Sequence, residues 1–225
     1  MSKPAFLLPG FFITLEGGEG AGKSTLLEHL EAYLVKRELQ VVKSREPGGS
    51  VLGEQIRKWV LDHNKSLSIG PKAELLLFLA ARSQHIDEVI LPALKQGKVV
   101  LCDRFNDSSI AYQGAGRSLG LKWVKEFSAP IIESCYPDLT FYLDVDPKVG
   151  LERSKAMSKE NAQAGSVDRI ESETYAFHER LRNAFLTLAK DEKDRIFVID
   201  ANQRQEVVIR EALKILETQL AHKYV

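Results

Sequence analysis

Long apolar runs are missing from this 225-residue chain. No window approaches the roughly 18 consecutive apolar residues of a membrane span, so a soluble chain with no membrane partner is expected. The first ten residues are apolar in part, but they hold Pro4 and Pro9 and no long hydrophobic stretch, so no secretory signal is expected. Cysteine is scarce: Cys102 and Cys135 are too few and too far apart for a zinc cluster, and two isolated thiols fit a reducing compartment. The expected location is the cytoplasm. Charge of one sign is absent too. Lys plus Arg and Asp plus Glu both number 31, so no global basic excess calls for a nucleic-acid partner, and any positive field must be local to a site. No repeat or low-complexity tract occurs. What remains is an ordinary composition, 44% hydrophobic, sufficient for one core and a single domain over residues 1–225.

Residues 17–24 read Gly-Gly-Glu-Gly-Ala-Gly-Lys-Ser and satisfy the pattern G-x-x-x-x-G-K-[ST]. An apolar run of strand type over 11–15 precedes them. After them Leu26, Leu27, Leu30 and Leu34 share one face of a helix predicted over 25–36. Glycines let the backbone turn so that successive N–H groups face one concavity, and a helix starting near Lys23 adds the positive end of its dipole. A polyphosphate suits that cradle. Lys23 can reach its outer phosphates, and the Ser24 hydroxyl can take one place on a phosphate-bound magnesium ion.

A second strand over 40–44 runs into Arg45-Glu46-Pro47-Gly48-Gly49-Ser50, a turn-rich loop at a strand's carboxyl end, where ligands bind in open parallel sheets. A helix over 53–61 follows, burying Ile56 and Val60; Arg57 alone reads as a charge on a solvated face. In the apolar helical stretch over 72–94, Phe78 and Arg82 lie four apart on one face. They are spaced to meet one planar ligand, although alone they read more simply as a core Phe beside a surface Arg. A buried-type strand over 97–104 ends in Asp103, the pattern of the acidic element that supports magnesium beside a phosphate loop. Ser108, Ser109, Tyr112, Gln113 and Arg117 come next, lining a pocket or merely opening a helix before a Gly-rich turn at 114–116. A fourth strand over 138–144 leads into a helix over 149–155. Residues 157–166 then lose all periodicity and suggest a mobile segment, either a water-excluding lid or a plain surface loop. An amphipathic helix over 174–189, a last strand over 195–200 and a closing helix over 205–220 complete the chain. Five strands alternating with helices predict an α/β fold, a parallel doubly wound sheet with helices on both faces.

Together the segments Gly17 to Thr25, Arg45-Glu46-Pro47-Gly48-Gly49, Phe78-Leu79-Ala80-Ala81-Arg82, Asp103-Arg104 with residues 108–114, Tyr142-Leu143-Asp144-Val145 and Asp168-Arg169-Ile170-Glu171 resemble the bacterial-type thymidylate kinases, a family of nucleoside monophosphate kinases. The phosphate loop is unspecific; the Arg-Glu-Pro-Gly-Gly and Phe-x-Ala-Ala-Arg segments single out this family. The resemblance implies a P-loop NTPase fold with a lid at about 153–171, transfer of a phosphoryl group from ATP to dTMP, Mg2+ as cofactor, and a homodimer. Gly17, Gly18, Glu19, Gly20, Ala21, Gly22, Lys23, Ser24 and Thr25 would hold the ATP phosphates. Phe78 would stack on thymine and Arg82 would donate to its O4. Ser109, with Gln113 nearby, would meet the base edge, and Tyr112 would pack where a 2′-hydroxyl would clash. Arg57 and Arg104 would fix the acceptor phosphate, Glu19 would meet the 3′-hydroxyl, and Ser24, Asp103 and Glu171 would position magnesium.

The chain departs from the family pattern at one point. Position 20 is Gly rather than the Arg of one subgroup, and the lid positions that carry the arginine in the other subgroup fall here on Ala164 or Met157. The transition-state cation is therefore sought among Arg153, Lys155, Lys159 and Arg169, with Arg153 and Arg169 preferred because a guanidinium spans two phosphate oxygens. Adenine has only a positional candidate, residues 200–203. Two other readings remain: a kinase of the same fold acting on another nucleotide or a deoxynucleoside, and a GTP-switched binding protein. The switch lacks its Asn-Lys-x-Asp motif, since Asn64-Lys65 is followed by Ser66-Leu67.

Overall fold

The computed structural model describes residues 10–61, 68–133, 135–160, 170 and 173–224. Five strands, β1 (Phe11–Gly17), β2 (Val41–Arg45), β3 (Val99–Asp103), β4 (Leu139–Asp144) and β5 (Ile196–Asp200), form one sheet in the order β2-β3-β1-β4-β5. All four pairings are parallel. The helices are α1 (Lys23–Val35), α2 (Val51–Leu61), α3 (Pro71–His85), α4 (Leu91–Lys95), α5 (Asn106–Ser109), α6 (Leu121–Ile132), α7 (Pro147–Glu160), α8 (Tyr175–Asp191) and α9 (Gln205–Tyr224). The α/β expectation and its five strands hold.

β1 is central and buried along its whole length, as a parallel strand covered on both faces must be. Its side chains alternate. Phe11, Ile13 and Leu15 pack with Leu26, Leu30 and Leu34 of α1 and Ala212 and Leu216 of α9. Phe12 faces the other layer with Ile86, Ile90 and Phe105. The same alternation puts Thr14 and Glu16 inside that second layer, where Thr14 Oγ1 and Thr140 Oγ1 lie 2.7 Å apart.

Three local expectations change. The helix expected over 72–94 is interrupted by a π-helical turn at Ile86–Ile90 between α3 and α4. Residues Ile110–Gly116, expected to end in a Gly-rich turn, continue α5 as a second π-helical segment, closed by a hydrogen bond from Arg117 N to Tyr112 O. Gly116 is required there, because a Cβ would lie 2.6 Å from the Phe177 ring of α8. Finally, α7 runs on to Glu160, past the point where apolar periodicity stops; polar residues still propagate an established helix. None of the described helices is long and apolar enough to cross a membrane.

Candidate active site

A cleft of about 960 Å³ opens over the carboxyl ends of the strands. Its floor is the phosphate loop between β1 and α1. One wall carries Phe78, Arg82, Ser109, Tyr112 and Gln113, and the other Arg153 and residues 201–205. Lys23, buried in the floor, donates through Nζ to Gly17 O (3.2 Å) and Gly18 O (2.9 Å). Burial and the nearby Arg104 cation pull its pKa down. An anion in the cradle would relieve both effects.

β3 ends at Asp103, and Arg104 follows in the left-handed region at φ 69° while its N–H bonds Leu15 O. That turn sends the guanidinium back across the sheet edge. Nη1 donates to Gly17 O at 2.9 Å and Nη2 to Glu19 Oε1 at 2.6 Å. The Tyr112 hydroxyl reaches the same carboxylate oxygen at 3.3 Å. Burial opposes charge on Glu19, but Arg104 and Lys23 outweigh it and hold the carboxyl below its usual range. Asp103 Oδ1 is buried and has no hydrogen-bond partner among the described residues.

On the wall that carries Phe78, Arg82 is not a surface charge. It is 2% exposed, and it donates to Glu46 Oε2 (2.7 Å), Asn106 Oδ1 (3.2 Å), Ser109 Oγ (3.0 Å) and Phe105 O (3.0 Å). Arg57 is likewise no solvated face charge: it lines the cleft and bonds Pro47 O at 2.9 Å. Phe78 is buried in the α3, α6 and α8 layer and also lines the cleft. Tyr112 is held by the rings of Phe177 and Phe185, and Gln113 donates to the buried Glu74 at 2.9 Å. Asp144 is engaged elsewhere, accepting from Arg182 at 2.7 and 2.9 Å.

The supporting layer was not legible residue by residue. Glu16 accepts from Phe105 N (2.8 Å), Ser108 N (3.3 Å) and Ser108 Oγ (2.5 Å) and so holds the segment after Arg104 in place. An acid at an inward position of an apolar strand was its available signal. Glu74 and His85 lie near the two ends of α3, where polar residues are ordinary, and carry no such signal. Burial, reinforced by Asp107, pushes Glu16 up to about 8.

A family model described as Thymidylate kinase matches residues 15–212. The chain belongs to the thymidylate kinase family. It is 55% identical over 216 residues to a thymidylate kinase of Protochlamydia amoebophila, covering 96% of each chain. It is 49% identical over 202 residues to one of Halothermothrix orenii, covering 90% of this chain and 94% of that one. A crystal structure of thymidylate kinase from Ehrlichia chaffeensis superposes with a TM-score of 0.73 at 32% identity, covering 92% of this chain and 99% of that one. The protein is thus a phosphotransferase on a P-loop NTPase fold.

Within the thymidylate kinase framework, glycine at position 20 has a steric cause. A Cβ there would lie 2.1 Å from Gly150 O of α7, with the backbone at φ +64°. The converse holds at Gly150, whose Cβ would meet Glu19 O at 2.3 Å. The loop and α7 touch backbone to backbone, so no arginine fits the slot. Of the candidate replacements, Arg153 lines the cleft and donates to Ala201 O at 2.8 Å and Lys155 is exposed on α7; Met157, at the aligned lid slot, is 60% exposed. Arg169 and Glu171, Ala164, and the side chain of Lys159 lie outside the described residues.

Proposed function

We propose that the protein transfers the γ-phosphoryl group of ATP to dTMP, giving ADP and dTDP for deoxythymidine nucleotide biosynthesis. The observation that carries this reading is that one cleft joins the phosphate loop to Phe78, Arg82 and Tyr112. An oxygen of the acceptor's 5′-phosphate attacks the γ-phosphorus, the bond to the β,γ-bridging oxygen breaks, and ADP leaves. Positioning and charge neutralisation supply most of the catalysis in such a transfer.

In this reading Gly17 to Thr25 hold the ATP phosphates and Lys23 leaves the Gly17 and Gly18 carbonyls for the outer phosphates. Arg57 and Arg104 hold the acceptor phosphate. Phe78 stacks on the base, Arg82, Ser109 and Gln113 read its edge, and Tyr112 excludes a 2′-hydroxyl. Glu19, ionised beside Arg104, meets the 3′-hydroxyl. Of the positional candidates for adenine, residues 200–203, Ala201, Asn202 and Gln203 line the far wall and Asp200 does not.

The orphaned Asp103 Oδ1 and the Ser24 hydroxyl in the loop fit a hard cation that keeps most of its water. No group of three or more His, Cys, Asp or Glu able to hold a metal occurs among the described residues, as suits an ion shared with phosphates. Mg2+ bound by Ser24, Asp103 and Glu171 would neutralise charge on the ATP oxygens. Arg153 and Arg169 are our candidates for the transition-state cation.

We further propose a single-domain enzyme that works in the cytoplasm as a homodimer, without a nucleic-acid or membrane partner. Exposed Val51, Leu52 and Trp59 on α2, Leu76 on α3 and the stacked pair Trp123 and Phe127 on α6 support the dimer, since α2, α3 and α6 pack side by side. The two cysteines are free and buried, in keeping with a reducing compartment. A coupled assay with ATP and each nucleoside monophosphate tests the function: dTMP is expected to be turned over best, and a preference for UMP would move the assignment to another kinase of this fold.

A further inference from the structure

We propose that His85 is a positioning residue for base recognition: acting through Glu46, it fixes the one Arg82 N–H that remains for the pyrimidine. The proposal rests on the reading of Arg82 as a base contact. A guanidinium carries five N–H groups in a rigid plane. Protein acceptors take four of them here: Nε serves Glu46, Nη1 serves Asn106 and Ser109, and one N–H of Nη2 serves the Phe105 carbonyl. The fifth, on Nη2, has no acceptor among the described residues and belongs to a side chain that lines the cleft. Its direction is therefore set by whatever sets the plane.

Glu46 is the one charged acceptor on that plane, at the shortest of the four distances. Its backbone is pinned by a 2.9 Å bond from its N–H to Asp103 O. Its second oxygen, Oε1, is 3.0 Å from His85 Nδ1. A carboxylate only accepts, so Nδ1 donates. His85 is fully buried, does not line the cleft, and cannot turn. Its Nε2 is 2.5 Å from Ser44 Oγ, and Gly49 presses against the ring so closely that a Cβ there would lie 2.4 Å from Nε2. Arg82 and His85, three apart on α3, thus grip the two oxygens of one carboxylate from one helix face. The chain Ser44, His85, Glu46, Arg82 runs from β2 to the base subsite. If the His85 bond is removed, the carboxylate can swing, and the remaining N–H loses its aim.

Thymine offers an accepting O4 where cytosine offers a donating amino group. A fixed N–H distinguishes the two, and a swinging one does so less well. The test is steady-state kinetics with dTMP and dCMP for the wild type, His85→Leu, His85→Asn and Arg82→Ala, with thermal unfolding as the folding control. We expect His85→Leu to lower the dTMP to dCMP ratio of kcat/KM by about 10-fold. The fall should arise in KM for dTMP, leaving KM for ATP unchanged. His85→Asn, whose amide can replace the Nδ1 donor, should recover most of the ratio. An unchanged ratio in His85→Leu, equal losses in both His85 variants, or a parallel fall in kcat for both substrates would overturn the proposal. If His85→Leu does not fold, His85→Gln takes its place: its donor lies where Nε2 was, so its ratio must fall while that of His85→Asn holds, and parity of the two overturns the idea. A wild-type ratio in Arg82→Ala is a separate outcome, which removes the base-contact reading itself.

Discussion

Arg104 Nη2 lies 2.6 Å from Glu19 Oε1, so the residue following β3 is tied directly to a variable position of the phosphate loop. Both groups are largely buried, the side chains being 17% and 19% exposed. The pair links the segment after β3 to the phosphate loop on the floor of the cleft. Removing one partner strands the other in a site of low polarizability. Arg104→Ala is expected to lower kcat/KM for dTMP by on the order of 10²-fold, while KM for ATP changes little. Steady-state kinetics with each substrate varied in turn checks this; a loss shared equally by both substrates would assign Arg104 to the donor instead.

The contact between Gly20 and Gly150 makes a stability prediction. Gly20→Ala places a Cβ 2.1 Å from a backbone oxygen in a left-handed conformation. Neither strain is relieved by a side-chain rotation, so the variant should lose about 2–3 kcal/mol. Thermal denaturation should show a fall of roughly 5–10 °C in Tm. An unchanged Tm would mean that α7 moves away from the loop at little cost.

Glu16 predicts a pH dependence of stability. Its ordinary value is 4.5, and burial, with Asp107, raises it to about 8 in the folded protein. Between these values the native state holds a proton that the unfolded chain releases, so stability falls as pH rises. The contribution is complete below about 4.5 and lost above about 8. Denaturant unfolding at several pH values in this window should show a decline corresponding to uptake of up to one proton on folding. Glu16→Gln, which cannot titrate, should flatten that decline. Parallel profiles for the two proteins would show that Glu16 does not titrate there.

The missing loop arginine calls for a comparison of Arg153→Ala, Lys155→Ala, Lys159→Ala and Arg169→Ala. Arg153→Ala or Arg169→Ala is expected to lower kcat by roughly 10²- to 10³-fold with both KM values nearly kept, since the cation acts on charge that develops in the transition state. Near wild-type kcat in all four would defeat the idea that a cation at these positions replaces it.

Much of the candidate site is local in sequence, and to that extent its motifs were legible. The phosphate loop is eight consecutive residues between a strand and a helix, and Asp103 ends an apolar strand, so pattern and position identify them together. Phe78 and Arg82 became candidates only through the family resemblance. Their spacing alone suited a core ring and a solvated cation; Phe78 is indeed packed in the core, but the second half fails, because Arg82 is buried against acceptors from β2's loop and α5, residues far away in the chain. The π-helical segments were not legible, because a single wider turn leaves no hydrophobic period behind.

By itself the sequence determined the α/β class, the five parallel strands, the glycine-loop motif between β1 and α1 and the family, because alternation, helical period and motif spacing act over short distances. Only the tertiary structure decided that Glu16 lies beneath the segment after Arg104, that Glu46 and His85 brace Arg82, and that α7 leaves no room at position 20. Each of these is a contact between residues distant in the chain, made when β2, β3, β1 and β4 come side by side and their carboxyl-end loops close around one cleft. Burial then turns ordinary polar side chains into partners that must be satisfied by one another.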